Sequence, residues 1–199
     1  MKKPWDIFEK NYVAVETQDD RTGKIKLRYE YCGPWFLCKN GKDALNRAKG
    51  GAALALLISI VSSLWAGLQN SQLNLSGWTN VPYGLSLAAL IFTAVGVVYL
   101  LAAKEKMKRP DYDRMSRLLS FAPLAQAVLL LLTLLAGILL FLIGQAGAGD
   151  LTPLLGWALA SAGAAFVYFV FRVLRFKEEK NTEFEYAKDF PNPSSQTEE

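Results

Sequence analysis

The sequence predicts an all-α membrane protein: four transmembrane helices forming a bundle of two helical hairpins, with a small N-terminal cytoplasmic β-hairpin segment. Three observations predict it. Gly50–Ala103, Leu118–Gly149 and Leu151–Phe171 contain no Lys, Arg, Asp or Glu. All 22 basic residues fall in three segments that flank these stretches, and none falls in the two remaining connectors. In Lys24–Tyr31, Ile25, Leu27, Tyr29 and Tyr31 alternate with Lys24, Lys26, Arg28 and Glu30, the period of a half-buried strand. A mean hydropathy of +0.17 over 199 residues hides this partition, because it averages greasy spans with charged ends.

A bilayer-crossing helix needs about 20 mostly apolar residues at about 1.5 Å each. Residues 51–69, 82–103, 120–143 and 151–171 meet that requirement, the third most strongly through its Leu-rich centre. A chain this short cannot wrap four all-round apolar helices inside amphipathic ones, so a soluble core is excluded on size. The first apolar run follows about fifty mostly polar residues and is expected to act as an internal, retained span, not a cleaved signal peptide.

Orientation follows from the charges. Eleven Lys and Arg precede Gly50, six lie between Lys104 and Arg117, and five follow Phe171. The connectors 70–81 and 144–150 carry only Asp150. The positive-inside rule therefore places both termini and the middle connector in the cytoplasm. Trp65, Trp78, Tyr83 and Trp157 are expected at the outer interface, and Tyr99 and Tyr168 at the inner one. Short outer loops and Ala/Leu-rich spans suit a prokaryotic plasma membrane.

Three parts follow: 1–49, a cytoplasmic segment with a β-hairpin; 50–175, the four-helix transmembrane domain; and 176–199, an acidic, partly disordered tail. In the first, Asn11–Thr17 and Lys24–Tyr31 pair across a polar turn, and Trp5, Ile7, Phe8, Trp35, Phe36 and Leu37 are expected to cover the greasy face. Gly33-Pro34 ends the hairpin and Asn40-Gly41 marks a turn. Pro110 breaks the middle connector, with a new helix expected from Asp111. The tail (three basic against seven acidic side chains) complements residues 1–49 (eleven against seven) and is expected to lie on the hairpin. Cys32 and Cys38 read as free thiols without an assigned role, since a reducing cytoplasm disfavours a disulfide and two thiolates alone make an incomplete zinc site.

The absence of His excludes Ser-His-Asp and Cys-His catalysis and imidazole metal ligation. No span contains Asp, Glu, Lys, Arg or His before Arg172, which argues against proton-coupled export and intramembrane aspartyl or metalloproteases. No catalytic, cofactor-binding or metal-ligating set is expected, and no nucleic-acid partner. The spans instead carry small and weakly polar seams: Ala55, Ser59, Ser63 and Gly67; Thr93 and Gly96; Gln126, Thr133 and Gly137; Gly156 and Ala160. Such residues allow close backbone approach and interhelical hydrogen bonds, within the bundle or across an interface. A Gln inside an apolar helix demands a partner. Pro82, Gly84 and Val98-Tyr99 echo Pro153, Gly156 and Val167-Tyr168, a faint sign of duplication.

The expected function is that of a non-enzymatic polytopic plasma-membrane protein, an accessory or scaffold subunit contacting a protein partner through residues 1–38 and 176–190. The alternative is a small transporter or pore component lined by the Ser/Thr/Gln seams of a homo-oligomer. Membrane lipid is the partner common to both.

Overall fold

The computed structural model describes residues 11–18, 25–145, 147 and 150–179. It contains β1 (Tyr12–Gln18), β2 (Ile25–Tyr31) and β3 (Trp35–Cys38), then the helix α1 (Gly41–Leu68). A short helix α2 (Gln72–Leu75) leads to α3 (Gly77–Ala102). There follow β4 (Lys106–Lys108), α4 (Arg109–Leu142), α5 (Leu151–Val173) and β5 (Phe176–Glu179). The helices α1, α3, α4 and α5 are each long and apolar enough to cross a membrane.

Their outer surfaces are apolar as well: Leu57, Val61, Ile91, Phe92, Leu132 and Phe169 are all more than half exposed. The faces turned inward are made of smaller residues. Gly156 of α5 lies where a Cβ would come within 2.7 Å of Ala66 Cβ and 3.0 Å of the Ser62 carbonyl oxygen. A Cβ at Gly163 would stand 2.8 Å from the Ala55 carbonyl oxygen. Two close approaches of this kind seat α5 directly on the backbone of α1. At Gly96 of α3 it is side chains of α4 that fill the space, with Leu119 Cδ2 2.9 Å from the missing Cβ.

These contacts alter the expected pairing. The expected second hairpin, α4 with α5, is closely packed, but the closest couples are α3 with α4 and α1 with α5, and α1 and α3, the expected first hairpin, meet along much less of their length. The connectors account for part of this: α2 stands between α1 and α3, while only β4 and its flanking residues separate α3 from α4.

Helix boundaries depart from the sequence reading in two places. α3 begins at Gly77, so Pro82 lies inside it, and α1 extends back to Gly41. Gly41 has φ +79°, a left-handed conformation that glycine adopts without strain, at the expected Asn40-Gly41 turn. α4 begins at Arg109 with Pro110 in its first turn, where the missing N–H costs nothing.

β1 and β2 form the expected antiparallel hairpin, Tyr12 opposite Tyr31 and Gln18 opposite Ile25. The second sheet is unforeseen. β3 is its central strand, pairing antiparallel with β4 (Phe36 opposite Met107) and with β5 (Phe36 opposite Glu178). Of the expected cover, Trp35 meets the hairpin at Tyr31, whereas Phe36 stacks on Tyr112 of α4. Three segments far apart in sequence meet at one end of the bundle, which we call the basic end; the other we call the Asp150 end. Trp5, Ile7, Phe8 and most of the acidic tail lie outside the described residues.

Candidate functional site

Three places combine polar groups with defined geometry: the middle of the bundle, the Asp150 end and the basic end.

In the middle, Gln126 on α4 is fully buried and its Nε2 donates to Ser59 Oγ on α1 at 2.8 Å. Ser59 donates in turn to the Ala160 carbonyl of α5 at 3.0 Å. One chain of hydrogen bonds thus crosses three helices, possible because Ala160 and Gly163 bring α5 against α1. Ser161 adds a bond to the Ala127 carbonyl at 3.0 Å. Gln126 Oε1, Ser63 Oγ and Trp157 Nε1 are buried and have no hydrogen-bond partner among the described residues.

The remaining seam residues are distributed around this chain. Ala55 and Ser63 are buried on α1, and the Ser63 carbonyl accepts from Tyr83 Oη at 2.7 Å, beside Gly67. Thr93 and Thr133 are buried but donate to carbonyls of their own helices, Ala89 and Leu129. Gly137 packs against Leu154 and Trp157, Gly96 against Leu118 and Leu119, and Gly156 against Ala66. Tyr83 and Trp157 are not rim aromatics: they are 9% and 0% exposed, with ring centroids 6.1 Å apart inside the bundle. Trp65 and Trp78 remain exposed.

At the Asp150 end, a single carboxylate joins the two connectors. Asp150 accepts from the Ser71 hydroxyl, from the Gln72 N–H at 3.1 Å and from the Gly147 N–H at 2.7 Å. Ser71 also caps α2, accepting from the Leu73 N–H at 3.1 Å. The Ser71 hydroxyl and then the Gly147 N–H hold the Asp150 carboxyl below its ordinary value. Nothing in the composition of residues 144–150 signals that its one charged residue would bind a connector about eighty positions earlier.

At the basic end, Tyr31 is the hinge between the two sheets. It is 7% exposed, donates from Oη to the Pro34 carbonyl at 2.7 Å and accepts from the Arg109 N–H at 2.9 Å. Burial raises its phenol above the ordinary value. Its ring meets Tyr12 and Trp35 edge-on at 5.3 and 5.2 Å, and Lys108 lies over it at 5.4 Å. Phe36 stacks on Tyr112 of α4 at 4.1 Å, and Lys106 sits over Trp35 at 5.0 Å. Lys39 and Asn40 bond to the backbone of Arg175, tying the turn before α1 to the segment after α5.

Beyond the hinge, Ile25 and Tyr29 on the hairpin's apolar face are 68% and 58% exposed, with exposed Ala14 opposite Tyr29. Cys38 is buried at the end of β3 and Cys32 half-buried, both as free thiols. Among the described residues there is no cluster of metal-ligating side chains.

No protein-family model, curated protein or solved structure matches the chain.

Proposed function

We propose that this chain is a four-span integral membrane protein of a prokaryotic plasma membrane. Both termini lie in the cytoplasm, and the chain serves as a non-enzymatic accessory or scaffold subunit. The observation that carries this reading is the sheet of β3, β4 and β5. It fastens the segments before α1, between α3 and α4 and after α5 into one platform at the end that bears the basic residues, and the hairpin is anchored on that platform through Tyr31. A platform of this kind holds a recognition element at a set distance from the bilayer. A protein partner that packs on the hairpin face at Ala14 and Ile25 is its simplest use.

A pore lined by Ser, Thr and Gln seams draws less support. Ser59, Ser63, Thr93, Gln126 and Thr133 are each at most 1% exposed, and Ser59, Thr93, Gln126 and Thr133 bond to groups of the bundle itself.

The test is co-purification of the full chain from its native membrane in mild detergent. The scaffold reading predicts a stoichiometric protein partner that is lost from an Ala14→Glu/Ile25→Asp variant and kept by Gln126→Leu. A lone monomer from the unaltered chain would overturn it. Removal of residues 1–38 is a poor version of this test, because it also deletes the central strand Trp35–Cys38.

A further inference from the structure

A groove of about 590 Å³ runs between α3 and α4 at the basic end. One stretch of its wall is apolar: Ile91, Phe92 and Val95 on α3, with Leu118 on α4. The other is basic, with Arg114 and Arg117 one turn apart on α4. The antiparallel packing at Gly96 sets the levels, since it places Leu118 and Leu119 beside Gly96. Arg117 and Arg114 therefore lie toward Tyr99 and the strand β4, while Ile91 and Phe92 lie on the far side, deeper along the bundle. The acidic residue of the groove, Asp113, is within 3.7 Å of Arg109. Arg114 and Arg117 have neither an ion pair nor a hydrogen bond among the described residues, and both are exposed.

We propose that this groove is a binding site for one anionic phospholipid. The phosphate is held by the Arg114 and Arg117 guanidinium groups, and an acyl chain lies along Ile91, Phe92 and Val95. The inference rests on the membrane reading given above. The occupant follows from the order of chemistry along one wall. A soluble anion would use the two arginines and make no use of the apolar stretch, and a neutral lipid would leave the arginines without a counter-charge. An anionic amphiphile satisfies both, with its headgroup at the level where a positive-inside protein meets the negatively charged leaflet. Arginine suits the role because its planar fork pairs bidentately with phosphate while its stem lies along apolar surface.

The test uses the full-length chain in mild detergent, with phosphatidylglycerol or phosphatidylcholine of matched acyl chains added and bound lipid counted by native mass spectrometry. One phosphatidylglycerol should be retained at a roughly tenfold lower concentration than phosphatidylcholine. Arg114→Gln/Arg117→Gln should bring the two lipids within about twofold of each other. Lys42→Gln/Arg47→Gln, an equal loss of charge at the same end on α1, should leave the preference intact. Val95→Trp, which fills the apolar stretch, should weaken retention of both lipids.

Equal retention of the two lipids by the unaltered chain would overturn the proposal. So would equal loss of preference in the arginine and control variants, which would mean a diffuse surface field. Displacement of the lipid by glycerol phosphate at comparable concentration would also overturn it, since the headgroup alone would then suffice. Resistance of the same variants to alkaline extraction from vesicles reports membrane insertion separately, so failure of the site and failure of the membrane reading are distinguishable.

Discussion

The interior of the bundle and its basic end are held together by different means. Inside, helices approach at glycine and alanine until backbone meets side chain, and the polar groups there are neutral. At the basic end, three strands of three or four residues pair through their backbones, and aromatic rings fill the gap to α4. The interior therefore depends on what is absent, a Cβ at a crossing. The end depends on what is present, a strand partner far away in the chain. The first arrangement fails by overpacking and the second by truncation.

Substitutions can break or sharpen that contrast. The largest effect is expected from Gly156→Leu, whose side chain must displace Ala66 or the Ser62 carbonyl. We expect a loss of about 3 kcal/mol, measured by thermal unfolding in detergent, at the upper end for overpacking. If Gly156→Leu were neutral, the interior would be looser than the geometry implies. Asp150→Ala should cost about 2 kcal/mol by leaving the Gln72 and Gly147 N–H groups without their charged acceptor.

The same carboxylate sets a pH dependence. Its acidity is increased in the folded chain, so its contribution is complete at neutral pH. That contribution is lost as pH falls through the ordinary carboxylate range near about pH 4 and then through the lower folded-state value. Unfolding scans of the parent should show this acid loss, and Asp150→Ala should lack it.

Phe36→Ala removes the stack on Tyr112 and should cost about 1.5 kcal/mol, since the ring is half-buried and the offset pair adds to its burial. Hydrogen exchange should then rise in β4 and β5 while α1 and α5 stay protected. Uniform exchange would mean that the two regions unfold as one. Gln126→Leu should matter least, at about 0.6 kcal/mol or less. Its Oε1 already lacks a partner, and Ser59 keeps its bond to the Ala160 carbonyl.

Much of the architecture was legible because its causes are local. Apolar runs of sufficient length mark α1, α3, α4 and α5. The period of two in residues 24–31 marks β2, and Asn40-Gly41 marks a turn that needs a positive φ. The seam of Ala55, Ser59 and Ser63 was legible as a small-residue face, but not the identity of what it faces. That face meets α5 through Gly156 and Gly163 more than it meets α3, the next span in the chain. Trp157 and Tyr83 misled for a related reason: aromatics near a helix end suit a rim, and only the approach of Gly137 to Trp157 makes room for the indole inside.

The sequence by itself determined which segments are the four long helices, which end of the bundle carries the positive charge, and where a hairpin forms. These are set by composition and period within a few turns of chain. Only the tertiary structure decided that Trp35–Cys38 is a central strand, that Asp150 holds the Ser71 connector, and that Arg114 and Arg117 share a groove with Ile91 and Val95. Strands of three or four residues carry too little pattern to announce themselves. A carboxylate or guanidinium looks the same in sequence whether it faces water or a partner about eighty residues away. Those pairings arise when the helices pack, because packing brings the ends of distant segments within hydrogen-bond reach.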